Sequence, residues 1–127
     1  MALTDFDSLF KSFSNLKVAV IGDVMLDTYW WGKVDRISPE APVPVVAVTS
    51  REERIGGAAN VALNVKAMGA NVHILSVIGA DPDGKKLETL LNQNRIQTDY
   101  LVKSEKRLTT NKIRIISRNQ QMVRLDA

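Results

Sequence analysis

The chain has 127 residues, 45% of them apolar and 24% charged, with a formal net charge of +3, a balance expected of one soluble globular domain. No stretch approaches the roughly 20 apolar residues of a membrane span, and Met1 to Asn15, with Asp5, Asp7 and Lys11, lacks the apolar run of a signal peptide. There is no cysteine, which excludes disulfides and thiolate metal sites; together these features point to the cytoplasm.

Asp5 to Ser14 reads as a short amphipathic helix, with Phe6, Leu9, Phe10 and Phe13 at helical spacing and Thr4 as its N-cap. Lys17 to Ile21 (KVAVI) has the form of a buried strand in a parallel sheet, and Gly22 to Trp31 then leaves that sheet. The prolines of SPEAPVP exclude helix there. Val43 to Thr49 is the next expected strand, with its first proline at or near an edge.

Gly56-Gly57 opens a helix over Ala58 to Met68, closed by Gly69. Asn71 to Ile78 is another buried strand, and Asp81-Pro82-Asp83-Gly84 a turn feeding a helix over Lys85 to Asn92. Thr98 to Val102, Asn111 to Ser117 and Gln121 to Leu125 complete the strands, the last pair joined by a hairpin turn at Arg118-Asn119-Gln120. Strands alternating with helices indicate an α/β sheet with crossover connections. The chain ends on or just after a strand with no closing helix, so the expectation is a piece of a larger domain.

Chemistry is expected first at Asp23 and Asp27, because ligands of open α/β sheets collect at the carboxyl ends of strands. Carboxylates there can accept several hydroxyl hydrogen bonds, although Asp is also a common turn residue. The second constellation is Gly56-Gly57 with Asn60. Glycines admit a ligand close to the backbone, the helix start offers free N–H groups, and the Asn60 amide both donates and accepts. A third feature is the basic run Lys103, Lys106, Arg107, Lys112, Arg114, Arg118 and Arg124 against Glu105 alone. It suits a phosphate on nucleic acid or on a metabolite, or is simply a solvated strand face. His73, alone inside an apolar strand, reads as packed structure. Trp30 and Trp31 suit either sugar stacking or packing.

RIGGAANVALNVKAMGA resembles the first signature of the ribokinase family of carbohydrate kinases, a glycine turn with an asparagine opening the following helix. IGDVMLD resembles the family's first strand and substrate loop, and IGADPDGKKL its Gly-x-Asp-x-x-Gly turn. VDRISPEAPVPVV and TTNKIRIISRNQQMVRLD point further, to the heptose kinases of lipopolysaccharide-precursor synthesis, which in some bacteria are fused to an adenylyltransferase.

The resemblance implies a ribokinase-like three-layer α/β/α fold with a small β lid. Its core would lie at about 1–33 and 50–104, and its lid strands at about 34–49 and 108–126. It implies sugar binding by Asp27, Asp23, Gly56, Gly57 and Asn60. Met25 stands where ribokinase has a polar sugar ligand, which argues against ribose. Lys112 or Arg114 could then hold the phosphate of heptose 7-phosphate, since strand residues two apart share a face.

It also implies an ATP- and Mg2+-dependent kinase forming heptose 1,7-bisphosphate, a homodimer paired through the lid, and no nucleic-acid or membrane partner. The basic run lacks the interleaved aromatics of a nucleic-acid binder. The family's later Gly-Ala-Gly-Asp-type motif, which supplies the base and the phosphate-binding turn, is not in this sequence, and neither is a GxGxxG or Walker loop. These residues are therefore expected to bind neither ATP nor Mg2+ strongly and to be inactive alone. The alternatives are a kinase for another sugar phosphate and a non-catalytic sugar-binding or dimerisation module.

Overall fold

A computed structural model describes residues 5–127. Thr4 lies outside them; the helix α1 (Phe6–Phe13) is capped by Asp5, whose carboxylate accepts hydrogen bonds from the backbone N–H groups of Asp7 and Ser8. After α1 come β1 (Lys17–Ile21), β2 (Val24–Ile37), β3 (Pro44–Gly57), α2 (Ala58–Ala67), β4 (Asn71–Gly79), α3 (Pro82–Gln93), β5 (Leu101–Ser104), β6 (Asn111–Ser117) and β7 (Gln120–Asp126). No helix among the described residues is long and apolar enough to cross a membrane.

The strands form two sheets. One is parallel, in the order β1-β4-β5; the other runs β3-β2-β6-β7, with only the β2–β6 pair parallel. Helices α2 and α3 pack on one face of the parallel sheet and reach under the near end of the second. Between these layers Val24, Leu26, Ile55, Ala59, Ala62, Val72, Ile74, Ile78, Leu87, Leu91 and Ile96 form one core. A buried Leu or Ile contributes about 1.5–3 kcal/mol relative to exposure.

The run from Gly22 to Trp31 leaves the parallel sheet, as expected, and from Val24 it is the first half of a 14-residue strand of the second sheet. Three expectations need correction. β3 continues past Thr49 to Gly57. Residues near 34 and 49 therefore lie mid-strand, and the second sheet takes in 24–33 and 50–57 as well. The cause is a period-two pattern in which Val24, Leu26 and Thr28 turn inward while Met25, Asp27 and Tyr29 turn outward.

β1 is parallel, as expected, but not buried. It is an edge strand, and Ile21 is 77% exposed because no helix among the described residues covers that face. Finally, Asp81-Pro82-Asp83-Gly84 is not a turn before α3 but its first turn. Asp81 is the N-cap and Pro82 stands at the position where a missing N–H costs nothing.

Other expectations hold. Pro44 begins the edge strand β3, where its lack of a donor is tolerated. Arg118 and Asn119 both have positive φ, 52° and 61°, the signature of a two-residue hairpin turn that matches the twist of its strands.

The α3 cap is also a knot. Asp81 Oδ1 accepts from Gly84 N and Thr109 Oγ1, each at 2.7 Å, and Oδ2 accepts from Thr109 N at 2.7 Å. Burial alone would push the Asp81 carboxyl up, but these hydrogen bonds outweigh it and hold it below the ordinary aspartate value. Beside it, Thr28 Oγ1 donates to Asn111 Oδ1 at 2.8 Å and Asn111 Nδ2 donates to Asp83 Oδ2 at 2.9 Å, joining β2, β6 and α3. The Gly-x-Asp-x-x-Gly segment thus fastens the second sheet to the helix layer.

Candidate functional site

The outward face of the four-stranded sheet carries a dense cluster of charged and aromatic side chains. Strand alternation puts Met25, Asp27, Tyr29 and Trp31 of β2 on that face. Register brings Arg54 of β3 and Lys112 of β6 beside Asp27, Glu52 and Arg114 beside Tyr29, and Asp126 and Arg124 of β7 beyond.

Asp27 is the centre of this face. Arg114 Nη1 donates to its Oδ1 at 2.8 Å, with both side chains about three-quarters buried. A charge-assisted bond in such a setting contributes on the order of 1.5–3 kcal/mol. The bond raises the pKa of the Arg114 guanidinium, outweighing burial, which lowers it. The other carboxylate oxygen, Oδ2, lies over Gly56, in the space that a Cβ on that residue would fill. Position 56 must be glycine for the carboxylate to rest there.

Tyr29 is flanked by guanidinium groups, Arg54 at 4.8 Å and Arg114 at 5.3 Å from its ring centroid, and it stacks on Trp31 at 5.6 Å with 16° between the planes. Arg54 is also paired with Glu52 through two contacts of 2.6 and 3.0 Å, and Arg124 with Asp126 through two of 2.9 and 3.0 Å. Lys112 differs from all of them: among the described residues it has no ion-pair partner.

Gly57 shapes the entry to α2. Its φ of 60° is a conformation that suits glycine, and a Cβ there would strike the Asp23 carbonyl. That close approach lets Ala58 N donate to Asp23 O at 2.8 Å, so the backbone of the first loop caps α2.

The residues singled out from sequence do not all meet. Asp27, Gly56, Lys112 and Arg114 share the sheet face. The Asp23 side chain is exposed, and its residue lines a depression with Ile21, Leu75, Val77, Tyr100 and Val102 at the bare face of the parallel sheet. Asn60 lines a separate groove with Arg54, Ile55, Leu63, Leu90 and Asn94. Lys112 and Arg114 are not an equivalent basic pair, because Arg114 is bound to Asp27.

Nor is the basic run a single stripe. Lys103 pairs with Glu88 at 2.6 Å, while Arg114 and Arg124 each have a carboxylate. Trp31 stacks within the chain, and Trp30 lies under the Arg51 guanidinium at 5.0 Å. His73 sits beside Tyr100, ring centroids 5.7 Å apart, with Nδ1 unpartnered. Sequence reasoning missed Tyr29 and the tie between Arg114 and Asp27. The alternation of Met25, Asp27, Tyr29 and Trp31 could have revealed the first.

The model of the pfkB family of carbohydrate kinases matches residues 15–125. A D-beta-D-heptose 7-phosphate kinase of Bordetella bronchiseptica is 54% identical over 116 residues, covering 91% of this chain and 37% of that protein. The bifunctional protein HldE of Pasteurella multocida is 54% identical over 114 residues, covering 90% of this chain and 24% of that one. The chain thus spans between about a quarter and two-fifths of the length of these relatives. Among solved structures, a carbohydrate kinase from Agrobacterium tumefaciens superimposes with a TM-score of 0.71 at 23% identity, over 87% of this chain and 35% of its own; that likeness speaks for the fold.

Proposed function

The chain belongs to the pfkB family of carbohydrate kinases, and we propose that within that chemistry it forms the sugar-binding portion of a heptose 7-phosphate kinase. The observation that carries this reading is the outward sheet face, where a fixed carboxylate, Asp27, lies in register with an uncommitted cation, Lys112. Hydroxyls at one end and a phosphate dianion at the other are what such a face recognises. The heptose itself is taken from the names of the relatives.

In the proposed reaction the sugar's C1 hydroxyl attacks the γ-phosphoryl of Mg-ATP. A bond from that oxygen to phosphorus forms as the bond to ADP breaks, giving heptose 1,7-bisphosphate and ADP. The hydroxyl proton passes to a general base, which the Gly-Ala-Gly-Asp-type motif of the family would supply and which is not among these 127 residues. Asp27, with Gly56 leaving room beside it, accepts hydroxyl hydrogen bonds and fixes the sugar; Gly57 shapes the turn that follows, while Asp23 and Asn60 line separate depressions and are given no contact with the sugar. Lys112 takes the phosphate.

In this reading the part described binds and orients the sugar, and phosphoryl transfer falls to the family motif that these residues lack. A reaction drawing on ATP belongs in the cytoplasm. Exposed Val48, Val123 and Leu125 on the four-stranded sheet suit pairing of two copies, which sedimentation of the purified protein would check.

The test is calorimetric titration with D-glycero-D-manno-heptose 7-phosphate, with ribose and fructose 6-phosphate as controls. Selective binding of the heptose phosphate supports the reading. Equal binding of fructose 6-phosphate moves the substrate to another sugar phosphate, and binding of none by folded protein overturns the reading. ATP-dependent phosphorylation by these residues alone would overturn the division of labour.

A further inference from the structure

Lys112 and Arg114 stand two positions apart on β6 and face the same way, so they resemble one anion site. Their surroundings separate them. Arg114 is bound to Asp27 at 2.8 Å and lies over the Tyr29 ring at 5.3 Å, whereas Lys112 has no ion-pair partner among the described residues. The Asp27 carboxylate is thereby held from two sides, by the Arg114 guanidinium at Oδ1 and against the bare backbone of Gly56 at Oδ2.

Arg114 commits its Nη1 to Asp27 in a largely buried position, so a phosphate that drew Arg114 away would leave the carboxylate without its charge-assisted partner, which is costly. We infer that Arg114 is a positioning residue that acts through Asp27, fixing the carboxylate that receives the sugar hydroxyls, and is not a ligand of the sugar's phosphate. The inference rests on the sugar-phosphate reading above and deepens it: anion recognition falls to Lys112 and hydroxyl recognition to the Arg114–Asp27–Gly56 unit.

The experiment compares binding of the heptose 7-phosphate with that of the same heptose lacking phosphate, in the purified protein and in Arg114→Gln, Lys112→Ala and Asp27→Asn variants. Arg114→Gln should weaken both sugars by the same factor, about 10- to 100-fold for loss of a charge-assisted bond. Lys112→Ala should weaken only the phosphorylated one. Adding Arg114→Gln to Asp27→Asn should cost nothing further, because the two act as one unit. Arg114→Lys, which keeps a cation beside Asp27, should recover part of the loss.

A loss in Arg114→Gln confined to the phosphorylated sugar, or one that adds fully to Asp27→Asn, overturns the inference and leaves the sugar-phosphate reading standing. A sugar-free measurement covers the remaining case. The 13C resonance of the Asp27 carboxyl should move in Arg114→Gln and stay put in Lys112→Ala, and an unmoved resonance in the first variant refutes the positioning role. If the unaltered protein binds neither sugar, the functional reading falls while this resonance still decides the part played by Arg114.

Discussion

The two sheets are built from the same kinds of strand and put to different uses. In β1-β4-β5 the chain buries Val72, Ile74 and Ile78 against α2 and α3, and the strands are joined by parallel backbone ladders. Among the described residues the outward face of β3-β2-β6-β7 holds three ion pairs, the unpaired Lys112 and a clamped tyrosine. Apolar burial is non-directional and tolerates small shifts, so it suits a scaffold. Charge-assisted hydrogen bonds depend on geometry, so they suit recognition. The molecule separates the two, and the knot of Asp81 with Thr109 fastens one to the other.

That separation can be broken deliberately. The largest effect should come from Ile74→Ala. It deletes a fully buried side chain in the parallel sheet and should cost about 2–5 kcal/mol of stability, read by urea unfolding. Whatever folded fraction remains should keep its preference among sugars; a changed preference would mean that scaffold and site are not separate.

Gly56→Ala should do the reverse. Its Cβ would occupy the place of Asp27 Oδ2, which can swing away, so the stability loss should stay near 1–2 kcal/mol for an overpacked site. Sugar binding should fall at least tenfold, seen by calorimetry.

The smallest effect belongs to the knot. The Asp81 carboxyl is held below its ordinary value, so its contribution to stability is complete above about pH 4 and is lost as pH falls through the folded-state value. Asn caps a helix about as well as Asp. Asp81→Asn keeps an acceptor for Gly84 N but turns an amide nitrogen on Thr109 N, so it should lower the urea midpoint at neutral pH slightly and flatten its fall below about pH 4. An unchanged acid profile would show that the acid sensitivity lies elsewhere.

Much of the fold was legible because local patterns agreed with it. Lys17–Ile21, the helix closed by Gly69 and the Arg118-Asn119 turn each carry their own signal. β2 was harder to read, since its outward positions Met25, Tyr29 and Trp31 are large and partly apolar and hide the alternation that polar residues would have displayed. Asp81-Pro82-Asp83-Gly84 has turn composition and helix-start composition at once, and the bonds to Thr109 settle it as a helix start. The candidate site divides in the same way. The glycine turn could be read locally, but the difference between Lys112 and Arg114 depends on β2 pairing with β6, a long-range event that no spacing encodes.

The Asp27–Arg114 bond joins residues 87 positions apart in the chain, and the Thr28–Asn111 bond joins residues 83 apart. Closing loops of that length costs entropy before any contact is gained, and such pairings slow folding. The part of the polar face that joins β2 to β6 therefore comes into being only when β6 docks beside β2. A chain in which β6 has not docked lacks the Asp27–Arg114 bond, and a ligand bound at this face would act as a brake on unfolding that begins at β6.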